Sequence, residues 1–113
     1  MTSPQQRKGD RFAREIKAYL KDAGLDIVRQ HDGGTLDSGD FILTPFVIEA
    51  KAYRDMTTAL RLGSQEAERA AEQFPRHIPA CLIDRPGYGI GSSYFVIQLR
   101  HVPKLMRLIL IRP

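Results

Sequence analysis

The chain has a single cysteine in 113 residues. No intrachain disulfide can form, and a lone thiol fits a reducing cytosol. Cys81 lies in an apolar stretch and reads as plain core. No apolar run approaches the ~20 residues a membrane-spanning helix needs. The N-terminus lacks the basic-then-apolar layout of a secretory leader. Internal repeats and low-complexity tracts are missing too. Together these absences argue against a membrane partner, a solenoid and a disulfide scaffold. They point to a cytoplasmic protein. His31 has no second histidine or cysteine at a ligand spacing, which argues against zinc.

What is present is an ordinary globular composition, 42% hydrophobic and 27% charged. The length suits one domain over residues 1–113, with residues 1–8 as a flexible basic arm. Formal net charge is +4 with pI about 9.5, a balance that favours a polyanionic partner.

The informative stretch is residues 38–51, two short apolar strands joined at Thr44 and Pro45. Asp40 opens the first strand. Glu49 and Lys51 sit in the second, where a buried strand should be apolar. Charges in such a hairpin cost several kcal/mol, on the order of that for any unpaired buried ion, unless something pairs with them. Residues two apart on a strand share a face, so Glu49 and Lys51 project together and Ala50 points away. A loop of even length places Asp40 opposite Glu49. A two-residue loop favours turns with positive φ, which Pro45 cannot supply, so a four-residue loop over 43–46 is expected. One face then carries Asp40, Ile42, Val47, Glu49 and Lys51. The other carries Phe41, Leu43, Phe46, Ile48 and Ala50 and belongs to the core.

Two carboxylates opposed across a strand pair repel. A divalent cation between them removes the penalty. Mg²⁺, with Mn²⁺ as a substitute, takes oxygen ligands and keeps several waters. Asp40, Glu49 and the Ala50 carbonyl make a plausible set of metal ligands. Lys51 beside them can orient or deprotonate a water or neutralise a phosphate oxygen, which suits metal-assisted hydrolysis of a phosphodiester. The competing reading is a salt bridge of Lys51 with Glu49 or Asp40 on a solvated sheet face.

Asp40 followed by Glu49-Ala50-Lys51 resembles the motif of the PD-(D/E)xK nucleases, with Ser38-Gly39-Asp40 in place of Pro-Asp. Within that superfamily the chain looks most like the small Holliday junction resolvases of archaea and phages. Lys8-Gly9 before a first helix, Gly24 after it and Val28-Arg29 in the next strand extend the likeness over roughly residues 8–100. The resemblance implies an α/β fold with a mixed central sheet, in the order helix, three strands, helix, two strands. It implies a Mg²⁺-dependent endonuclease acting on DNA, with branched DNA as substrate and a homodimer as the working form. It puts Arg14, Arg29 and Lys8 near substrate phosphates. The family's first-helix glutamate precedes an arginine; here Ala13 stands at that position, and Glu15 is either a catalytic ligand or an exposed helix carboxylate. Arg29 is either a phosphate contact or a solvated strand-end cation. Two other readings remain open: a nuclease for nicked, mismatched or duplex-end DNA, and a catalytically silent DNA-binding module on the same fold.

The rest of the chain follows from periodicity. A helix over 10–23 is expected, capped by Asp10 and stopped by Gly24, with Phe12, Ile16, Tyr19, Leu20 and Ala23 inward. A strand over 25–30 and a loop over 31–39 follow; Asp37 in that loop is the one nearby rival to Asp40. After Lys51 a helix runs to Phe74, stopped by Pro75, with Leu60, Gly63, Ser64, Ala67, Ala70, Ala71 and Phe74 on one face and Gln65 at the surface. Strands over 78–84 and 93–99 flank a glycine-rich segment, 85–92, which reads as a hairpin loop or as a DNA-contacting flap. Pro103 starts a last short helix. Residues 102–111 are apolar on more than one side and need a second surface, most simply a second copy of the chain.

Overall fold

Ser3 starts the first helix. Its hydroxyl accepts the Gln6 N–H at 3.1 Å, and its own N–H donates to the Gln6 side chain at 2.8 Å. This reciprocal capping box satisfies two of the free N–H groups at a helix start. The computed structural model describes residues 3–30 and 40–111, and helix α1 spans Pro4–Asp22 within them. Residues 4–8 are therefore helical rather than an arm, and the capping residue is Ser3 rather than Asp10. The loop 31–39, with His31 and Asp37, lies outside the described residues.

Strands β1 (Val28–Arg29), β2 (Phe41–Leu43) and β3 (Phe46–Lys51) form an antiparallel meander. Helix α2 (Met56–Gln73) carries the chain to β4 (Ile78–Ile83), which lies parallel to β3. Strand β5 (Tyr94–Val96) returns antiparallel and closes a five-stranded mixed sheet in the order β1-β2-β3-β4-β5. A 3₁₀ turn at Leu99–His101 leads into α3 (Val102–Leu110). The class is α/β, with the expected order of elements.

The turn between β2 and β3 differs from expectation. Leu43 pairs directly with Phe46, so the loop is Thr44 and Pro45 alone, joined by a cis peptide bond. Cis proline at the third position makes a type VI turn, which needs no positive φ. Both loop lengths are even, so the parity is kept: Phe41 pairs with Ile48, which leaves Asp40 facing Glu49.

Each sheet face has its helix. On one face Phe12, Ala13 and Ile16 of α1 meet Phe41, Ile48, Ala80 and Leu82. Tyr19 and Ala23, expected inward, are exposed, because the buried stripe of α1 is shifted toward Ala13. On the other face α2 buries Ala59, Gly63, Ala67 and Ala70. Leu60, expected inward, is exposed for the same reason of helical phase. Every residue of β4 is buried, as a strand covered on both faces requires. No described helix is long and apolar enough to cross a membrane.

The α2 face depends on small residues. A Cβ at Gly63 would lie 3.1 Å from Cys81 Cβ, 3.2 Å from its Sγ and 3.3 Å from Lys51 Cγ. Overpacking of this kind costs about 1–3 kcal/mol. Gly63→Val is therefore expected to lower the unfolding free energy by an amount in that range, read as a lower midpoint in urea at unchanged m-value. Wild-type stability in this variant would mean that α2 does not approach β3 and β4 this closely.

A candidate carboxylate and lysine centre

Strand β3 carries alternate residues to opposite faces. Ile48 and Ala50 enter the α1 core, whereas Val47, Glu49 and Lys51 face α2. Glu49 is 6% exposed, and among the described residues it is the buried exception to an otherwise apolar set. Asp40 extends β2 beyond its last ladder pair and lies half-buried beside Glu49. The Asp40 N–H donates to the Ile48 carbonyl at 2.9 Å. Its Oδ2 accepts the Ala50 N–H at 2.8 Å, so the side chain is fixed by the backbone of the strand that carries the other two residues.

Burial is the main reason the Glu49 carboxyl is pushed up to about 9; its hydrogen bond with Asp40 and the charge of Asp40 add to it. Lys51 opposes the shift and Glu66 reinforces it. In the metal-free protein at neutral pH the Glu49 carboxyl therefore keeps its proton.

Glu66 was not among the residues singled out from the sequence. It lies on α2 one turn beyond Gly63, and Lys51 Nζ donates to its Oε1 at 2.6 Å. Burial disfavours the charge on Lys51, but the hydrogen bond and charge of Glu66, with Glu49 and Asp40, outweigh it and hold the pKa above the ordinary lysine value. Lys51 is thus an ammonium in this arrangement. The competing reading puts a salt bridge of Lys51 with Glu49 or Asp40 on a solvated face; the ion pair of Lys51 that the structure shows is to Glu66 on the covering helix. The periodic signal for Glu66 was its i+3 relation to Gly63. That signal becomes usable only once the approach of α2 is known.

The other expected residues are placed apart. Glu15 and Arg14 are exposed on α1, which covers the opposite face of the sheet, so the structure does not bring Glu15 to the carboxylates. Ala13 is buried in the α1 core. Arg29 pairs with Phe41 across β1 and β2, which turns it to the α1 face, where it meets Asp10 at 3.6 Å. Lys8 is half-buried on the same helix. The Gln5 side chain donates to the Ala52 carbonyl at 2.9 Å, so the first turns of α1 lie at the end of β3 where Lys51 stands.

The donor set can be tested against a divalent cation. Among the described residues no three His, Cys, Asp or Glu side chains form a cage. Asp40 and Glu49, with the Ala50 carbonyl, offer oxygens only. Two carboxylates and retained waters fit Mg²⁺. Comparison with protein-family models, curated proteins and solved structures finds no match to this chain.

A stability test follows from Glu49. Its folded pKa is raised, so the folded state binds a proton more tightly than the unfolded state. Stability is full below the ordinary glutamate range and is lost as pH rises toward about 9. The melting temperature of metal-free protein is expected to fall between pH 5 and pH 9, and Glu49→Gln should flatten that slope. An identical slope in the variant would show that Glu49 ionises freely.

Proposed function

We propose that this chain is a Mg²⁺-dependent DNA endonuclease of the PD-(D/E)xK type, with branched DNA as its substrate. The observation that carries the reading is the convergence of Asp40, Glu49 and Lys51 on one sheet face, on paired strands, with the first acid anchored to the Ala50 N–H at 2.8 Å. An apolar core gives no reason to place two acids and a lysine there. The element order supports the same reading: helix, antiparallel meander, helix, then a parallel strand.

Asp40, Glu49 and the Ala50 carbonyl would hold the ion. When bound, Mg²⁺ supplies positive charge at a phosphoryl oxygen and a more acidic water. Lys51 is held as an ammonium by Glu66 and is oriented to stabilise charge developing on the phosphate and to position the attacking water. Lys8, at the same end of β3, is available to a substrate phosphate. The net charge of +4 favours a polyanion.

A second copy of the chain completes the proposal. None of the α3 side chains is buried; Met106, Leu108, Ile109 and Leu110 are exposed, with Ile111 beyond them. His101 at 2.6 Å and Arg100 at 3.4 Å tie the root of α3 to Glu68 of α2. A two-fold dimer through α3 would present two centres to a nearly two-fold junction.

A cleavage assay on junction, flap, nicked, duplex and single-stranded DNA tests the reading. Asp40→Asn, Glu49→Gln and Lys51→Ala should each slow Mg²⁺-dependent cleavage by roughly a hundredfold or more while DNA binding persists. Cleavage by all three at the wild-type rate would displace the active centre. Preference for nicked or duplex DNA over the junction would retain the nuclease and change its substrate. Binding without cleavage of any substrate would favour the silent module. For the dimer, Ile109→Asp is expected to shift the sedimentation coefficient from dimer to monomer. A monomeric wild-type chain at micromolar concentration would remove α3 as the interface.

A further inference from the structure

Across the sheet, Ile83 of β4 pairs with Lys51 on one side and with Tyr94 on the other. Directly paired residues project to the same face, so Tyr94 stands in the same row as Lys51, toward α2. Adjacent strands are roughly 4.8 Å apart, which puts Tyr94 about 10 Å from Lys51. The first residues of the segment joining β4 to β5 meet this corner, and the rest crosses to α1, where Ile90 joins the core and Gly91 meets Tyr19. Gly87 has φ +88°, and the Tyr88 N–H donates to the Arg85 carbonyl at 3.0 Å. Arg85 is clasped between two rings: its guanidinium carbon lies 4.0 Å from the centroid of Tyr88 and 4.7 Å from that of Tyr94. Its Nη1 donates to the Ser92 carbonyl at 3.5 Å. One face of each ring is thus given to a cation, yet Tyr88 is 62% and Tyr94 46% exposed. Neither belongs to either core cluster.

We propose that Tyr88 and Tyr94, held by Arg85, form a stacking platform for an unpaired nucleobase of a DNA strand whose backbone runs past Lys51. The proposal rests on the nuclease reading and deepens it, because it names an unpaired nucleotide as the feature recognised. The physical basis is the exposed ring surface of Tyr88 and Tyr94 beside the cation. A guanidinium on one side of a phenol ring leaves the other side free for a planar base, and stacking of this kind is tolerant of base identity. A base in a continuous duplex is already stacked and cannot offer its face. About 10 Å corresponds to roughly three steps of a strand at ~3.4 Å each, so the stacked base would sit a few nucleotides from the phosphate at Lys51. A branch point or flap provides such a base beside duplex; an intact duplex does not.

The sequence contains no tryptophan, so Tyr88→Trp places a single indole on the platform. The experiment titrates that variant, in chelator so that no cleavage occurs, with a fluorescein-free single-stranded oligonucleotide and with a fully paired hairpin duplex. Binding is followed in parallel by anisotropy of labelled versions. Single-stranded DNA should quench the indole emission strongly and the duplex only weakly. In a protein otherwise unchanged, Tyr88→Ala should weaken single-strand binding by roughly tenfold and leave duplex binding within about twofold, whereas Tyr88→Phe should retain wild-type affinity. Tyr88 is in an exposed loop, and a wild-type melting curve for each variant excludes unfolding as the cause. DNA that binds without quenching, or with equal loss of both DNA forms in Tyr88→Ala, would overturn the platform and leave the nuclease reading in place. Failure to bind any DNA would overturn both. Quenching that grows with protein concentration without DNA would make the corner a contact between copies of the chain and overturn the proposal.

Discussion

Two carboxyl groups forced together in a half-dry site set the terms for this fold. Glu49 is buried beside Asp40, and the pair cannot both ionise without help. Three elements hold that arrangement. The tight β2–β3 turn sets the parity that opposes the acids. The Ala50 N–H grips Asp40. Helix α2, brought close by Gly63, supplies Glu66 to Lys51. A Cβ on that glycine would press on Lys51 and Cys81 together, so the spacing between helix and sheet and the geometry of the lysine are one constraint.

A core built only for stability has cheaper solutions. Apolar residues of similar volume in place of a buried ionic cluster are often neutral or stabilising. Keeping Asp40, Glu49, Lys51 and Glu66 in one place costs folding energy, and a site that binds a cation and handles a phosphate offers a reason to keep them. The division of labour across the sheet follows. The α1 side is apolar and serves packing, with Arg29 turned into an ion pair with Asp10. The α2 side carries the polar chemistry, and at the shared ends of β3 and β4 Tyr94 stands in the same row as Lys51.

Much of this was legible in the residues. Period two separated the charged face of β3 from its core face, and the even loop opposed Asp40 to Glu49. The loop length itself was misjudged, because a cis bond at Thr44–Pro45 permits a turn that a trans proline would not. The parity survived, since two and four are both even. Ser3 and Gln6 carried a legible capping box that marked the true start of α1. Glu66 was hidden because its reach depends on how closely α2 approaches the sheet. The side to which Arg29 points was hidden because it depends on the β1–β2 register, which the local sequence pattern does not set. Strand periodicity is local, whereas these two facts are tertiary.

The central claim is that Glu49 holds a proton beside Asp40 that a divalent cation would displace. Isothermal calorimetry of Mg²⁺ or Mn²⁺ binding at pH 7.5, repeated in two buffers of different ionisation enthalpy, measures it directly. The account predicts saturable binding with release of about one proton per ion. It also predicts that Asp40→Asn abolishes the binding and that Glu49→Gln abolishes the proton release. No binding at millimolar metal, or binding unaltered by either substitution, would contradict it.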